Sequence, residues 1–395
     1  MPGPLEGYRI IDLTVMATGP FATMMLADQG ADVIKVEQPG IGDVMRYLGT
    51  SRGGVSALWV NCNRNKRSIV LGLHDRRGRA ILEELVADAD VFVQNFRPGV
   101  VERLGIDEPE LRRVREDLIY VSISAFGPTG PYATKPAYDH IIQGIVGAAA
   151  AQADPETGRP ENIRTIFCDK LTAQAVAQGI TAALLTRERG SGGQHLRVSM
   201  LDAAIAFLWP DCGANETILE EDANVQPLLS ATYRMTEASD GHFIVAGITD
   251  AQIHGMFRAF GRPDLIADPR FATAEARMKN MEALLAEFHE ERVDVKRAEV
   301  LEALEAEDVP CGPVHASIAE VLSDPQVIAS ETFLETFHPQ LGRIREPRPP
   351  LRFEGTPAAI QGPAPALGQH TDEILGEIGR STGEIAELRD LGIVS

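Results

Sequence analysis

Through its first 200 residues the chain alternates short apolar runs with amphipathic segments, and few architectures accept that pattern. "YRIIDL" (8–13), "DVIKVE" (32–37), "RSIVLGL" (67–73), "DVFVQNF" (90–96) and "LIYVSISAF" (118–126) have the length and branching of buried strands. Between them lie "PFATMMLADQG" (20–30), closed by Gly30, and "DRRGRAILEELVADA" (75–89), whose Ile81, Leu82, Leu85 and Val86 share one helical face. "QAVAQGITAALLTRERG" reads as a further helix ending at Gly190, and "QHLRVSMLDAAIAFLW" (194–209) as a strand running into another apolar helix. Strands alternating with helices of this length predict an α/β fold, a doubly wound and mostly parallel sheet with helices on both faces.

At 395 residues the chain exceeds what one core usually holds. Its character changes after 209. "SATYRMTEASDGHFIVAG" (230–247) suggests a hairpin turning at Asp240–Gly241. The pieces "DAQIHGMFRAFG", "NMEALLAEFHEERV", "KRAEVLEALEAEDV" and "SIAEVLSD" read as short helices. The expected organisation is a large Rossmann-like domain from 1–205 and 330–395, a linking helix at 206–224, and an inserted, smaller, helix-rich α+β domain at 225–329. The Pro- and Gly-rich tail from 340 reads as an extended segment draped over another surface, closing with an amphipathic helix.

Several functions are disfavoured early. Lys plus Arg total 37 against 57 Asp plus Glu, a formal charge of −20 that repels phosphate backbones and anionic lipid, so neither nucleic acid nor membrane is an expected partner. Cys62, Cys168, Cys212 and Cys311 form no C-x-x-C pair, which argues against a metal site and a disulfide framework. No apolar run is membrane-length, and "MPGPLEGYRIIDL" lacks signal-peptide character, so a cytoplasmic location is expected. The turn "TVMATGP" (14–20) has one glycine and "GIGD" (40–43) lacks the third, so the dinucleotide fingerprint is missing and no nicotinamide or flavin is expected. P-loop and G-x-S-x-G signatures are absent too.

One carboxylate stands out. "TIFCDKLTA" (165–173) places Asp169 directly after an apolar run and ahead of a long helix. Position alone leaves two readings, a helix N-cap worth about 1 kcal/mol or a nucleophile, and the two are compatible. Six ordered blocks bear on the choice: "GYRIIDLTVMATGPFATMMLADQGADVIKVEQPGIGD" (7–43), "NRNKRSIVLGL" (63–73), "ADVFVQNFRPGVVERLGI" (89–106), "ISAFGPTGPYATKPAYDHIIQG" (123–144), "ALLTRERGSGGQHLRVSMLDAAI" (183–205) and "PALGQHTDEIL" (365–375). Together they resemble the class III CoA-transferases, the group named for carnitine and bile-acid CoA transferases.

The resemblance implies an enzyme that moves coenzyme A from an acyl-CoA donor to a small free carboxylic acid, with Asp169 as nucleophile. An aspartate suits the task, because a mixed anhydride and then an aspartyl-CoA thioester conserve the thioester energy if water is kept out. With an ordinary pKa near 4 it would need no base to ionise. The resemblance points to Met16 and Ala17 after the first strand, to Asn95, Phe96, Arg97 and Gly99 in "QNFRPG", to Arg103, and to Lys135 and Tyr138 as coenzyme A contacts. Leu71 and Met200 would line the pantetheine and adenine path. It further implies an interlaced homodimer, which the long tail would suit by wrapping.

Three departures are visible. Gln38 stands where family members often carry Arg, leaving Arg46 or Arg67 to compensate. In the related α-methylacyl-CoA racemases a His precedes the Asp of an "HD" pair; here "AYDHI" puts Tyr138 before Asp139 and His140 after it, so racemisation is the alternative activity. The glycine run of formyl-CoA-type members is missing, with only Gly241 and Gly247 in the hairpin region, which argues against an oxalate-specific role. A non-catalytic acyl-CoA-binding protein on the same scaffold is the third possibility, and it would tolerate Asn or Ser in place of Asp169.

Overall fold

The structure, a computed structural model, describes residues 3–154, 157–228, 230, 233, 235–289 and 295–395. Six parallel strands form the main sheet: β1 (Arg9–Asp12), β2 (Asp32–Glu37), β3 (Lys66–Val70), β4 (Val91–Gln94), β5 (Ile119–Ser124) and β6 (His195–Ser199). Their spatial order is β3-β2-β1-β4-β5-β6. That is the doubly wound order of dinucleotide-binding sheets, built here without their glycine fingerprint.

Alternation along each strand divides the core. Ile10, Val33, Val91, Val93, Ile119 and Val121 face one side, where α1 (Thr18–Asp28) and the long helix α4 (Phe167–Thr186) cover them with Ala22, Leu26, Ala173, Val176 and Ile180. Ile11, Ile34, Phe92 and Tyr120 face the other, against Ile81, Leu82, Leu85 and Val86 of α2 (Arg76–Ala87) and Ile374, Leu375 and Ile385 from the end of the chain. The period of two is what sends adjacent isoleucines to opposite layers. Between β5 and α4 lies the short helix α3 (Asp139–Ile145), and after β6 comes α5 (Met200–Cys212).

The chain separates into two compact units, Met1–Ala214 with Glu331–Ser395, and Asn215–Ser330. The apolar run after β6 stays helical only to Cys212, followed by one turn at Ala214–Thr217, so 206–224 is not one continuous helix. In the smaller unit, strands Thr236–Ala238, Gly241–Val245 and Cys311–Pro313 form an antiparallel sheet. The hairpin turns at Ser239–Asp240, one residue before the expected position, because Gly241 already pairs with Ala238. Phe243, Phe257, Phe271 and Leu304 form this unit's core beneath helices Asp250–Ala259, Met281–His289 and Arg297–Ala306. The expected helix over 280–293 runs past 289 into residues outside the described set, as do parts of 230–235.

The tail is tied to its own large unit. Ala359 N–H donates to the Asp28 carbonyl, the Asn65 side chain accepts from the N–H groups of Gln361 and Gly362, and the Pro365 carbonyl accepts from Arg46 and Trp59. Residues 359–365 are thus bonded to the first large-unit elements of their own chain, with Ala364 buried beside Trp59. The tail then ends in two short helices, Thr371–Glu377 and Thr382–Asp390. No helix among the described residues is long and apolar enough to cross a membrane.

Candidate active site

Leaving β1 the chain winds towards β2 and β3; leaving β4 it winds towards β5 and β6. Loops after β1 and β4 therefore part, and a crevice opens at the carboxyl ends of these neighbouring strands. A cleft of about 320 Å³ occupies this place. Val15, Met16 and Thr18 border it from the first loop, Asn95 to Pro98 from the second, Ile123 to Ala125 from the end of β5, and Lys135 to Asp139 from the approach to α3. Asp169 and Met200 complete the lining.

Asp169 lies in the first turn of α4, three residues beyond the N-cap Ile166, whose side chain cannot accept a capping bond. Asp169 is therefore not an N-cap. Its backbone N–H donates to Asp139 Oδ2 at 2.9 Å, and its Oδ1 accepts a short hydrogen bond from the Thr18 hydroxyl. Burial pushes the carboxyl up to about 6, the Asp139 charge acts in the same direction, and the Thr18 hydroxyl opposes them. Near neutral pH the group is mostly ionised yet poorly hydrated. No cation forms an ion pair with it among the described residues.

The first loop is held in a costly conformation. Met16 has φ 64°, a left-handed backbone that a residue with a Cβ adopts only under constraint. Asn95 supplies part of the constraint: its Oδ1 accepts from Val15 N–H at 2.9 Å and its Nδ2 donates to the Val15 carbonyl at 2.7 Å. Asp43 Oδ1 accepts from Met16 N–H at 3.2 Å. Beneath the loop sits a fully buried ionic network. Asp12 accepts from Thr14 and Thr23 and pairs with Lys66 at 3.0 Å, while Lys35 donates to the Thr14 carbonyl and lies 3.5 Å from Asp43. The lysines hold the Asp12 carboxyl well below its usual range despite its burial. Burial draws Lys66 down to about 8. Such charges persist inside a protein only when mutually paired and hydrogen-bonded.

The sequence-derived residues divide clearly. Met16, Asn95, Phe96, Arg97, Lys135, Tyr138 and Met200 line the cleft with Asp169. Ala17, Gln38, Leu71, Gly99 and Arg103 do not. Ala17 opens α1 without a side-chain cap. Gly99, at φ 84°, opens the short helix carrying the exposed Arg103. Gln38 is exposed, and its side-chain amide donates to the Gly42 carbonyl at 3.3 Å. Leu71 is 1% exposed, and its side chain belongs to the core beneath the sheet. The two arginines expected to compensate for Gln38 are already engaged. Arg46 grips Glu37 through two nitrogens at 2.9 and 2.7 Å and stacks on Trp59, while Arg67 pairs with Asp32, Glu373 and Glu377.

Sequence reasoning missed Thr18 and undervalued Asp139. Both belong to motifs it had weighed for other purposes, the turn "TVMATGP" and the "AYDHI" pair, and nothing local shows that either side chain reaches Asp169. His140 is exposed and not part of the cleft lining. Cys168 is fully buried in a cluster with Phe126, Ile142 and Met200, and burial pushes its thiol up to about 12, as befits packing rather than redox chemistry.

Residues 5–371 match the family described as CoA-transferase family III. Succinyl-CoA:glutarate CoA-transferase of Mus musculus is 33% identical over 396 residues, covering 99% of this chain and 90% of the relative. Acetyl-CoA:oxalate CoA-transferase of Acetobacter aceti is 36% identical over 360 residues, covering 89% and 90%. A crystal structure of a CaiB/BaiF family protein from Brucella suis superimposes with a TM-score of 0.82 at 32% identity, covering 96% of this chain and all of that one.

Proposed function

The chain belongs to CoA-transferase family III, and we propose that it transfers coenzyme A from an acyl-CoA to a free carboxylic acid with Asp169 as nucleophile. The observation that carries this reading is the Asp169 carboxylate itself, ionised near neutrality, half-buried and unpaired in the switch-point cleft. An Asp169 oxygen attacks the thioester carbonyl; the C–S bond breaks and the coenzyme A thiolate leaves, giving a mixed anhydride. The thiolate then attacks the aspartyl carbonyl and expels the donor acid, giving an aspartyl-CoA thioester. The acceptor carboxylate repeats both steps in reverse and restores Asp169, with no net proton consumed.

Asp169 needs no general base, and its incomplete hydration removes part of the cost of attack. Arg97 and Lys135 form no ion pair with a carboxylate among the described residues, so both are free for coenzyme A phosphates or a substrate carboxylate. Met16, Asn95, Phe96, Tyr138 and Met200 supply the remaining contacts. Both curated relatives are named for dicarboxylate acceptors, which puts dicarboxylates first among acceptors for this chain. The reading carries with it an interlaced homodimer and an inserted smaller domain. Among the described residues no histidine lines the cleft, which weighs against α-proton transfer.

Intact-mass spectrometry with a panel of acyl-CoAs, with and without hydroxylamine, tests the proposal beside Asp169→Ala. A hydroxylamine-sensitive adduct on the wild type alone is expected. No adduct, with deuterium exchange at the α-carbon, would sink it in favour of racemisation.

A further inference from the structure

Resting on the reading of Asp169 as nucleophile, we infer that Asp139, locked by Gln143, is a positioning residue for the Asp169 carboxylate. Asp139 is 6% exposed and has no ion-pair partner among the described residues. A buried carboxylate without a counter-ion must be held by hydrogen bonds, and here the two oxygens are divided between two tasks. Oδ1 accepts from Gln143 Nε2 at 2.5 Å; Oδ2 accepts from the Asp169 backbone N–H at 2.9 Å.

Gln143 is 1% exposed and belongs to α3 with Asp139. Its Nε2 also reaches the carbonyls of Ile163 (3.2 Å) and Thr165 (3.1 Å), and its Oε1 accepts from Ile163 N–H at 2.9 Å. One side chain thus clamps the segment leading into α4. The other caps the first turn of α4 from a different element, because Ile166 cannot. The pair fixes where Asp169 stands and keeps a negative charge beside it, which strengthens its basicity and so its nucleophilicity. A mere cap would need only an acceptor, and Asn would serve.

The other titratable or charged groups around Asp169 are Cys168 and the exposed Lys170 on its own helix, the buried Cys62, and Arg97, Lys135 and Tyr138 across the cleft. His140 is exposed on α3. Burial does most to raise the Asp169 carboxyl, and the Asp139 charge adds to it.

The test follows the rate of Asp169 adduct formation against pH, using whichever of formyl-, acetyl- and succinyl-CoA labels the wild type. Asp139→Asn removes the charge and leaves one acceptor for two donors. Its acid limb is expected to move down by about one pH unit, and its plateau to fall about tenfold, with the donor KM little changed. Gln143→Met keeps the charge and loosens the clamp, so the plateau falls while the limb stays. An Asp139→Asn protein that melts like the wild type and keeps both its limb and plateau overturns the inference. If that variant does not fold, an undiminished plateau in Gln143→Met does so. Absence of any adduct on the wild type overturns the nucleophile reading instead, a result distinguishable from either variant's behaviour.

Discussion

Replacing Asp169 by Asn should make the protein more stable while abolishing transfer. Burial holds the folded carboxyl at about 6 against an ordinary 3.8. Between those values the folded state binds more protons than the unfolded one, so stability falls as pH rises through the window. Above it the full cost of the buried charge is present. At 1.36 kcal/mol per pKa unit that cost is about 3 kcal/mol. Asn keeps the shape and can still accept from Thr18, though more weakly, so about 2–3 kcal/mol should be recovered at pH 7.5. Urea unfolding of both proteins, followed by far-UV circular dichroism at pH 7.5 and pH 4, reads the difference. The midpoint of the Asp169→Asn variant should lie higher at pH 7.5 with an unchanged slope, and the two curves should converge at pH 4. Equal or lower stability of Asp169→Asn at pH 7.5 would refute the reasoning, because the carboxylate would then be as well solvated as any surface acid.

Other consequences are more quickly stated. Thr18→Val removes the donor to Asp169 and should raise the acid limb of the rate profile above 6, measurable from adduct formation against pH. Arg97→Ala and Lys135→Ala should each raise the KM for acyl-CoA several-fold and flatten its dependence on ionic strength, with kcat changed less, as steady-state kinetics at two salt concentrations will show. Arg46→Ala strands a buried Glu37, so it should cost about 3–5 kcal/mol in chemical denaturation while leaving the KM of the folded fraction unchanged. The opposite outcome, a stable protein with weakened acyl-CoA binding, would restore Arg46 as a phosphate ligand.

The layers of the sheet were legible because they rest on local pattern. Runs such as "DVIKVE" and "LIYVSISAF" are strands buried on both faces, and the helix at 76–87 shows its apolar stripe directly. Asp169 was legible as an oddity, a charge at the edge of an apolar helix, but its local reading as an N-cap fails because α4 begins two residues ahead of it. What the sequence hides is any contact whose partners lie far apart along the chain. Thr18 and Asp169 are 151 residues apart, Asp139 and Asp169 30, and Arg46 and the Pro365 carbonyl 319. A motif comparison treats Leu71 as a lining residue because it follows a strand near the site, yet the pleat turns its side chain inwards.

The fate of the arginines shows how so acidic a chain can receive an anionic substrate. Arg46, Arg64 and Arg67 each answer a carboxylate close to the first three strands, and Lys35 and Lys66 are consumed beneath the first loop. Of these cations, Lys35 braces the first loop directly, through the Thr14 carbonyl and through Asp43, which also accepts from the N–H of the left-handed Met16. Arg97 and Lys135 are spared that duty, and both line the cleft with Asp169. On the proposed function, their charge would attract the substrate without pairing to Asp169, whose own charge would otherwise be neutralised before it could attack. On that proposal, the departure at Gln38 would shift the burden of anion binding onto the loops after β4 and β5, next to Asp169. Affinity and reactivity should therefore be more strongly coupled here than in a relative with an arginine at that distant position.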